Sequence, residues 1–271
     1  MHVVGTHVYP VKSCYRVDTN RVEVHPWGLA GDRRWMVVDA DGRAITQRDH
    51  AELTRVRPEL TDDGIVLRTP GQPDLAVPEP RQGELTEVTV WRFTGKAALA
   101  DPSAHEWFTA LLGRPARLVW LDDPTRRPVD PVYARPEDRV SFADGFPLLL
   151  ANAASLRALN DLILESGSLE GPLPMTRFRP NVVIDGGPPW VEDTWIGRRI
   201  RIGEVTFRVP KPCARCVVTT TDQETGERGR EPLLTLGRHR NINHGLLFAV
   251  NLIPDNAGVI GVGDEVQQAD G

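Results

Sequence analysis

Short runs of alternating apolar and polar residues dominate the first third of the chain. Arg21-Val22-Glu23-Val24, Arg34-Trp35-Met36-Val37-Val38, Gly64-Ile65-Val66-Leu67 and Thr86-Glu87-Val88-Thr89-Val90-Trp91 are short β-type runs, some alternating and some continuously apolar, broken by turn residues, which predicts strands. Asp39-Ala40-Asp41-Gly42 supplies the Asp-Gly needed for a tight hairpin between Trp35–Val38 and Ala44-Ile45-Thr46. Strands this short and this close together predict an all-β region folded as a small barrel.

The period changes near Asp101. Trp107, Phe108, Leu111 and Leu112 fall at helical spacing, with Ser103 as a candidate cap and Gly113 as a stop. This helix is expected to bridge two domains, and the Pro- and Arg-rich stretch Asp122–Pro128 reads as a linker. Beyond it, Gly145–Leu150 predicts a buried strand and Ala153–Glu165 an amphipathic helix with Leu156, Leu159 and Ile163 on one face, stopped by Gly167. Asn181–Ile184 and a hairpin, Arg199–Ile202 into Val205–Val209 around Gly203-Glu204, come next, and a final hairpin is expected over Phe248–Val266 with its turn at Asp255–Gly258. The predicted class is mainly β with some α (α+β): an N-terminal β-barrel domain over 1–95, a bridging helix and linker over 96–128, and a second, mixed β-barrel domain over 129–271.

At 271 residues, with 40% hydrophobic and 25% charged residues, the chain is long enough for two cores. A net charge of −5, with basic residues not gathered into runs, argues against broad nucleic-acid binding, so any anion site must be local. The start lacks the charged and apolar regions of a signal peptide, and no run of about 18 apolar residues occurs. A soluble cytoplasmic protein with no membrane partner is expected.

Only three cysteines occur, and two of them form Cys213-Ala214-Arg215-Cys216, too few for a disulfide framework. Four readings stand. Structural zinc would recruit His239 and His244, across a gap longer than the usual zinc-finger loop. A thioredoxin-like pair would need a helix start where Val217–Thr221 follows. The cysteines are otherwise a buried inert pair, or one thiolate ligates a soft transition metal while Arg215 stabilises its negative charge. Three further segments place cations at turns: Tyr9-Pro10-Val11-Lys12-Ser13, Gly31-Asp32-Arg33-Arg34-Trp35 and Arg177-Phe178-Arg179-Pro180-Asn181. Lys12, Arg33 and Arg179 are suited to converge on a phosphate, although each alone also reads as a surface ion pair. Neither a Walker sequence nor a Gly-x-Gly-x-x-Gly is present.

Taken together, Tyr-Pro-Val-Lys-Ser, Gly-Asp-Arg-x-Trp, Phe-Arg-Pro-Asn, Glu-Asp-x-Trp, Cys-x-x-Cys and a terminal Val-Gly-Asp resemble the MOSC family. The likeness is to the branch that carries an N-terminal β-barrel domain and includes the mitochondrial amidoxime-reducing components. It implies a molybdenum–molybdopterin cofactor, with Cys216 as the metal ligand and catalytic centre. Lys12, Ser13, Arg33, Arg179 and Asn181 match positions that hold the pterin and its phosphate. Gly145, Phe146, Ala214 and Asn251 match further cofactor contacts, with residue types that leave such contacts to backbone groups. The implied activity is reduction of N-hydroxylated or N-oxygenated compounds. The chain stops at Gly271 without further cysteines for an iron–sulfur cluster, so a separate ferredoxin- or flavoprotein-type donor is expected. The alternative is a sulfur carrier or molybdenum-cofactor-handling protein using Cys216. Asp32 and Asp193 are expected to be structural, and His2, His7, His239 and His244 to lie at the surface rather than relay protons.

Overall fold

The alternating segments become paired strands, but several partners are distant in sequence. A computed structural model describes residues 1–269; Asp270 and Gly271, the end of the expected second domain, lie outside the described residues.

Four antiparallel strands, in the order Trp35–Val38, Arg117–Trp120, Phe93–Leu99 and Leu85–Val90, form the sheet of a first body. Alternation along them separates two apolar faces. Trp35, Val37, Leu118 and Trp120 pack with Trp107, Phe108 and Leu112 of the helix Pro102–Leu112 and with Ile65, Leu67 and Val77 of a three-stranded meander. Met36, Val38, Val88, Val90 and Val119 pack on the other face, with Phe142. The helix is flanked by Asp101, not Ser103, because Pro102 takes its first position, where a missing N–H costs nothing. Gly113 ends it at φ 61°. Its apolar face packs in the core of the first body.

The second body is a curled ten-stranded sheet whose main path runs Val17–Thr19, His2–Val8, Val182–Asp185, Leu148–Asn152, Gly245–Pro254, Val205–Arg208, Arg199–Ile202 and Val266–Ala269. Gly258–Gly261, Arg21–His25 and Gly28–Leu29 form a small sheet over it. Val8, Val24, Leu150, Ile184, Phe207, Leu252 and Ile260 fill the interior between them. The strands His2–Val8 and Arg21–His25 therefore pair with the second half of the chain, while Val11 and Cys14 between them pack in the first core. Leu148–Asn152 and Val182–Asp185 are parallel, joined by the expected helix Ala153–Glu165, whose first turn is capped by Asn152 Oδ1 accepting from the Ala154 N–H at 2.9 Å.

The expected final hairpin is absent. Gly258–Gly261 pairs with Arg21–His25, and Val266–Ala269 with Arg199–Ile202. The turn residues explain this: Asp255 accepts from Arg199 Nε at 2.8 Å and Arg208 Nε at 2.7 Å, and Asn256 Oδ1 accepts from the Thr206 N–H at 3.0 Å. These bonds fasten the turn to the neighbouring hairpin and direct the chain away from its own preceding strand.

Candidate active site

Strand ends and loops of the second body, with the loop Thr46–Arg48 of the first, enclose a cavity of about 310 Å³. Lys12, Ser13, Arg33, Gly145, Phe146, Arg179, Asn181, Ala214, Cys216 and Asn251 all line it. Three of these have left-handed backbones, Ser13 at φ 69°, Arg33 at φ 46° and Arg179 at φ 53°. Such conformations are costly for residues with a Cβ and concentrate where a site demands them. Arg179 acquires its conformation by closing the short 3-10 turn Met175–Phe178.

One side of the cavity is a fixed cationic wall. Arg33 Nη1 donates to both oxygens of Asp32, at 2.8 and 2.7 Å, and to Asn181 Oδ1 at 3.0 Å. Asp32 has no solvent exposure and also accepts from the Tyr9 N–H at 2.8 Å and Asn181 Nδ2 at 3.1 Å. Burial raises the Asp32 pKa, and Arg33 works in the opposite direction. Asn181 completes its set through Nδ2 to the His7 carbonyl at 3.1 Å and by accepting from the Leu149 N–H at 3.2 Å. Both hydrogens and both lone pairs of its amide are engaged within the protein, so its side chain positions Arg33. Tyr9 lies between two guanidinium groups, Arg33 at 4.1 Å and Arg179 at 4.3 Å from its ring centre. Arg179 Nη1 donates to Gln223 Oε1 at 3.0 Å, Gln223 to Gln47 Oε1 at 2.9 Å, and Gln47 to the Ser13 carbonyl at 2.8 Å. Burial depresses Arg179 to about 10, which leaves it protonated at neutral pH.

Lys12 Nζ donates to the Phe142 carbonyl at 2.9 Å and to Asp144 Oδ1 at 2.5 Å. Burial lowers its pKa, opposed by Asp144. Desolvation pushes Asp144 upward, but Lys12, the Trp91 N–H and Arg48 together hold its carboxyl well below the usual range. Lys12 is thus neutralised locally, while the nitrogens of Arg179 beyond Nη1 make no hydrogen bond with the described residues.

The thiol side differs from expectation. Arg215 donates to Cys213 Sγ at 2.8 Å and to the Phe178 carbonyl at 2.7 Å. The cation at Cys216 is Arg48, whose Nη2 lies 3.3 Å from Sγ. Arg48 and its neighbours Asp144 and Trp91 come from a loop, the bend before Leu148–Asn152 and a hairpin tip, and no motif in the sequence marks them. Cys213 and Cys216 are both half-buried, so the inert-pair reading fits neither. Fully buried Cys14, its thiol pushed up to about 12 by burial, is the inert one.

Of the remaining positions, Ala214 belongs to the short strand Pro212–Ala214 paired with Gly245–Pro254 and presents only a methyl group beside its backbone. Gly145 is open enough that a Cβ would meet nothing within 4 Å. Phe146 packs edge-on against Tyr133, and Asn251 Nδ2 donates to the Pro212 carbonyl at 3.2 Å. No histidine lines the cavity, and among the described residues no group of three or more His, Cys, Asp or Glu side chains is placed to hold a metal, so the zinc reading has no ligand set. His7 pairs with Asp18 at 2.7 Å, and Asp193 with Arg240. Among the described residues no helix is long and apolar enough to cross a membrane.

Comparison with known proteins follows the same two-part plan. The model of the MOSC N-terminal beta barrel domain matches residues 1–115, and that of the MOSC domain residues 137–267. Mitochondrial amidoxime-reducing component 1 of Homo sapiens is 31% identical over 279 residues, covering 96% of this chain and 80% of that protein. Mitochondrial amidoxime reducing component 2 of Bos taurus is 30% identical, covering 96% and 81%. Molybdenum cofactor sulfurase of Oryza sativa subsp. japonica is 29% identical over 93% of this chain, but this spans only 32% of the sulfurase. With both domain models matched in order and relatives of this identity spanning almost the whole chain, the protein belongs to the MOSC family, in its form with an N-terminal β-barrel domain.

Proposed function

We propose that the protein is a cytoplasmic molybdenum-cofactor oxidoreductase that reduces N-hydroxylated compounds with electrons from a separate ferredoxin- or flavoprotein-type donor. The observation that carries this reading is a half-buried thiol, Cys216, opening on the same cavity as Arg33 and Arg179. A soft ligand and a cationic anchor in one cavity match what molybdopterin presents, a sulfur-bound metal and a phosphate. The fit is supported by the unengaged nitrogens of Arg179 and by three left-handed residues that turn backbone and side chains toward the cavity.

In this reading Cys216 ligates molybdenum, Arg179 takes the phosphate, and Lys12, Ser13 and the Asp32–Arg33–Asn181 network shape the pterin-facing wall. Gly145, Phe146, Ala214 and Asn251 contribute backbone and packing. The cofactor supplies two-electron redox chemistry, and the protein supplies its orientation and electrostatics. In the overall reaction the N–O bond of an amidoxime breaks, two electrons and two protons enter, and an amidine and water leave. The reading as a sulfur carrier or cofactor-handling protein is weaker, because carrying a persulfide needs the thiol but not the cationic wall.

The test is molybdenum and pterin content of protein expressed with molybdate, followed by conversion of benzamidoxime with a chemical reductant. Close to one molybdenum and one pterin per chain, with benzamidine formed, is expected. Stoichiometric zinc without pterin, or a loaded protein that leaves benzamidoxime unchanged, overturns the reading.

A further inference from the structure

We propose that Arg48, which lines this cavity, and Trp91, which stacks on Arg48 at its edge, form a substrate-binding arm from the first body: the guanidinium donates to the oxygen of the N–O group, and the indole packs against a planar aryl or amidine group. The proposal rests on the function proposed above and names the residues that would select its substrate.

The cations of the cavity differ in what they have left to offer. Arg33 is committed to Asp32 and Asn181, Lys12 to Asp144 and a carbonyl, and Arg215 to Cys213 and a carbonyl. Arg48 makes one hydrogen bond from its guanidinium to the described residues, Nη2 to Cys216 Sγ, and a looser contact of 3.9 Å to Asp144 Oδ2. Its Nε and Nη1 have no acceptor among the described residues, and a quarter of its side chain is exposed. Arg48 lines the cavity together with Cys216, so these donors would be available to the oxygen of a bound N–O group.

The arm is rigid. The carbonyls of Gln47 and Arg48 accept from Arg228 Nη2 at 3.0 and 2.8 Å, so the second body pins the loop. The guanidinium carbon lies 4.2 Å from the centre of the Trp91 ring. Trp91 sits at φ 56° in the tip joining Leu85–Val90 to Phe93–Leu99, and its indole N–H donates to Asp144 Oδ1 at 3.1 Å. The same carboxylate thus holds Lys12, the indole and, more loosely, Arg48. Despite these contacts Trp91 is 53% exposed. A large aromatic in a left-handed conformation, tethered at its N–H, stacked on Arg48 and still half exposed, leaves surface next to Arg48 for a flat ligand.

The test uses oxidised, molybdenum-loaded protein without reductant, so that amidoximes bind but are not consumed. Binding of benzamidoxime and of the aliphatic acetamidoxime is measured by calorimetry, alongside molybdenum and pterin content. Arg48→Ala is expected to weaken both ligands by roughly 10- to 100-fold, the range for a hydrogen bond from a charged donor, with cofactor content unchanged. Arg48→Lys recovers part of the loss, because a point charge replaces a fork. Trp91→Ala weakens benzamidoxime more than acetamidoxime, and Trp91→Phe restores the difference. Wild-type binding in Arg48→Ala overturns the proposal, as does loss of molybdenum from that variant, which would make Arg48 a cofactor anchor. Equal weakening of both amidoximes by Trp91→Ala overturns the role given to the indole. A loaded wild-type protein that binds neither amidoxime removes the function reading and this proposal together, whereas turnover by the wild type with unaltered binding in Arg48→Ala removes this proposal alone.

Discussion

The wall of Arg33 and Asn181, closed around Asp32, and the mouth of Cys216 and Arg48, with Trp91 stacked on Arg48, border one cavity, yet they differ in how their polar groups are satisfied. In the wall, Asp32 has no exposed surface, and Arg33 and Asn181 close a network around it. At the mouth, the thiol is half-buried, Arg48 has unengaged nitrogens and Trp91 is mostly exposed. A buried, fully bonded network fixes geometry at the cost of tolerating no loss, whereas an underbonded rim can exchange partners. The wall is suited to hold something permanently, and the mouth to bind and release.

The strongest challenge to this contrast is Cys216→Ser against Cys213→Ser. The first is expected to lose molybdenum and all amidoxime reduction, and the second to keep most of both, measured by metal analysis and turnover. Equal loss from both would make the pair a single unit and erase the distinction between them. Asp32→Ala probes the wall directly: it leaves Arg33 largely buried and unpaired, which should cost about 3–5 kcal/mol and lower the thermal midpoint by roughly 10 °C. A midpoint close to wild type would show that the network is not the rigid element described. Arg179→Ala should instead fold normally and retain about tenfold less pterin, the effect of losing a charged hydrogen bond. Unchanged pterin would assign the phosphate elsewhere.

The smallest effect should come from an exposed pair away from the cavity. Arg157 Nη2 donates to Asp185 Oδ1 at 2.7 Å, and this guanidinium, with the Gly186 N–H, lowers the carboxyl to about 2. Because the folded pKa lies below the unfolded one, the pair stabilises the protein above about pH 4, and its contribution fades between about pH 4 and 2. Asp185→Asn should therefore melt slightly earlier than wild type at pH 6 and together with it at pH 2, with molybdenum content unaffected. A large loss at pH 6 would show that exposed pairs here carry as much as buried ones.

Much of the local structure was legible in the chain. The short β-type runs became strands, and Ala153–Glu165 became a helix with the expected bounds, because both depend on which side of an element faces the core. Choice of partner was less legible. Phe248–Val266 contains two strand patterns around a turn sequence, but the carboxylate of Asp255 is held by arginines more than forty residues upstream in sequence. The same limit applied to the cavity. Lys12, Arg33, Arg179 and Cys216 announced themselves by their motifs, and the cavity brings them together. Arg215 was expected beside Cys216 because it precedes it, whereas strand geometry directs it to Cys213 and admits Arg48 from a distant loop. Trp91 read as the last residue of a strand and is instead the left-handed tip of a hairpin.

The pairing of the strands His2–Val8 and Arg21–His25 with the second half of the chain also has a temporal side. His2–Val8 is paired with Val182–Asp185, and Arg21–His25 with Gly258–Gly261. During synthesis these two strands must remain without their partners until residues 182–185 and 258–261 have been made, while the sheet and helix between residues 35 and 120 can close on their own contacts. Lys12 and Ser13 lie between these two strands and Arg33 follows them, and Arg33 meets Asn181 only once that residue is made, so the cationic wall can close only after the first body is able to form the platform that carries Arg48 and Trp91.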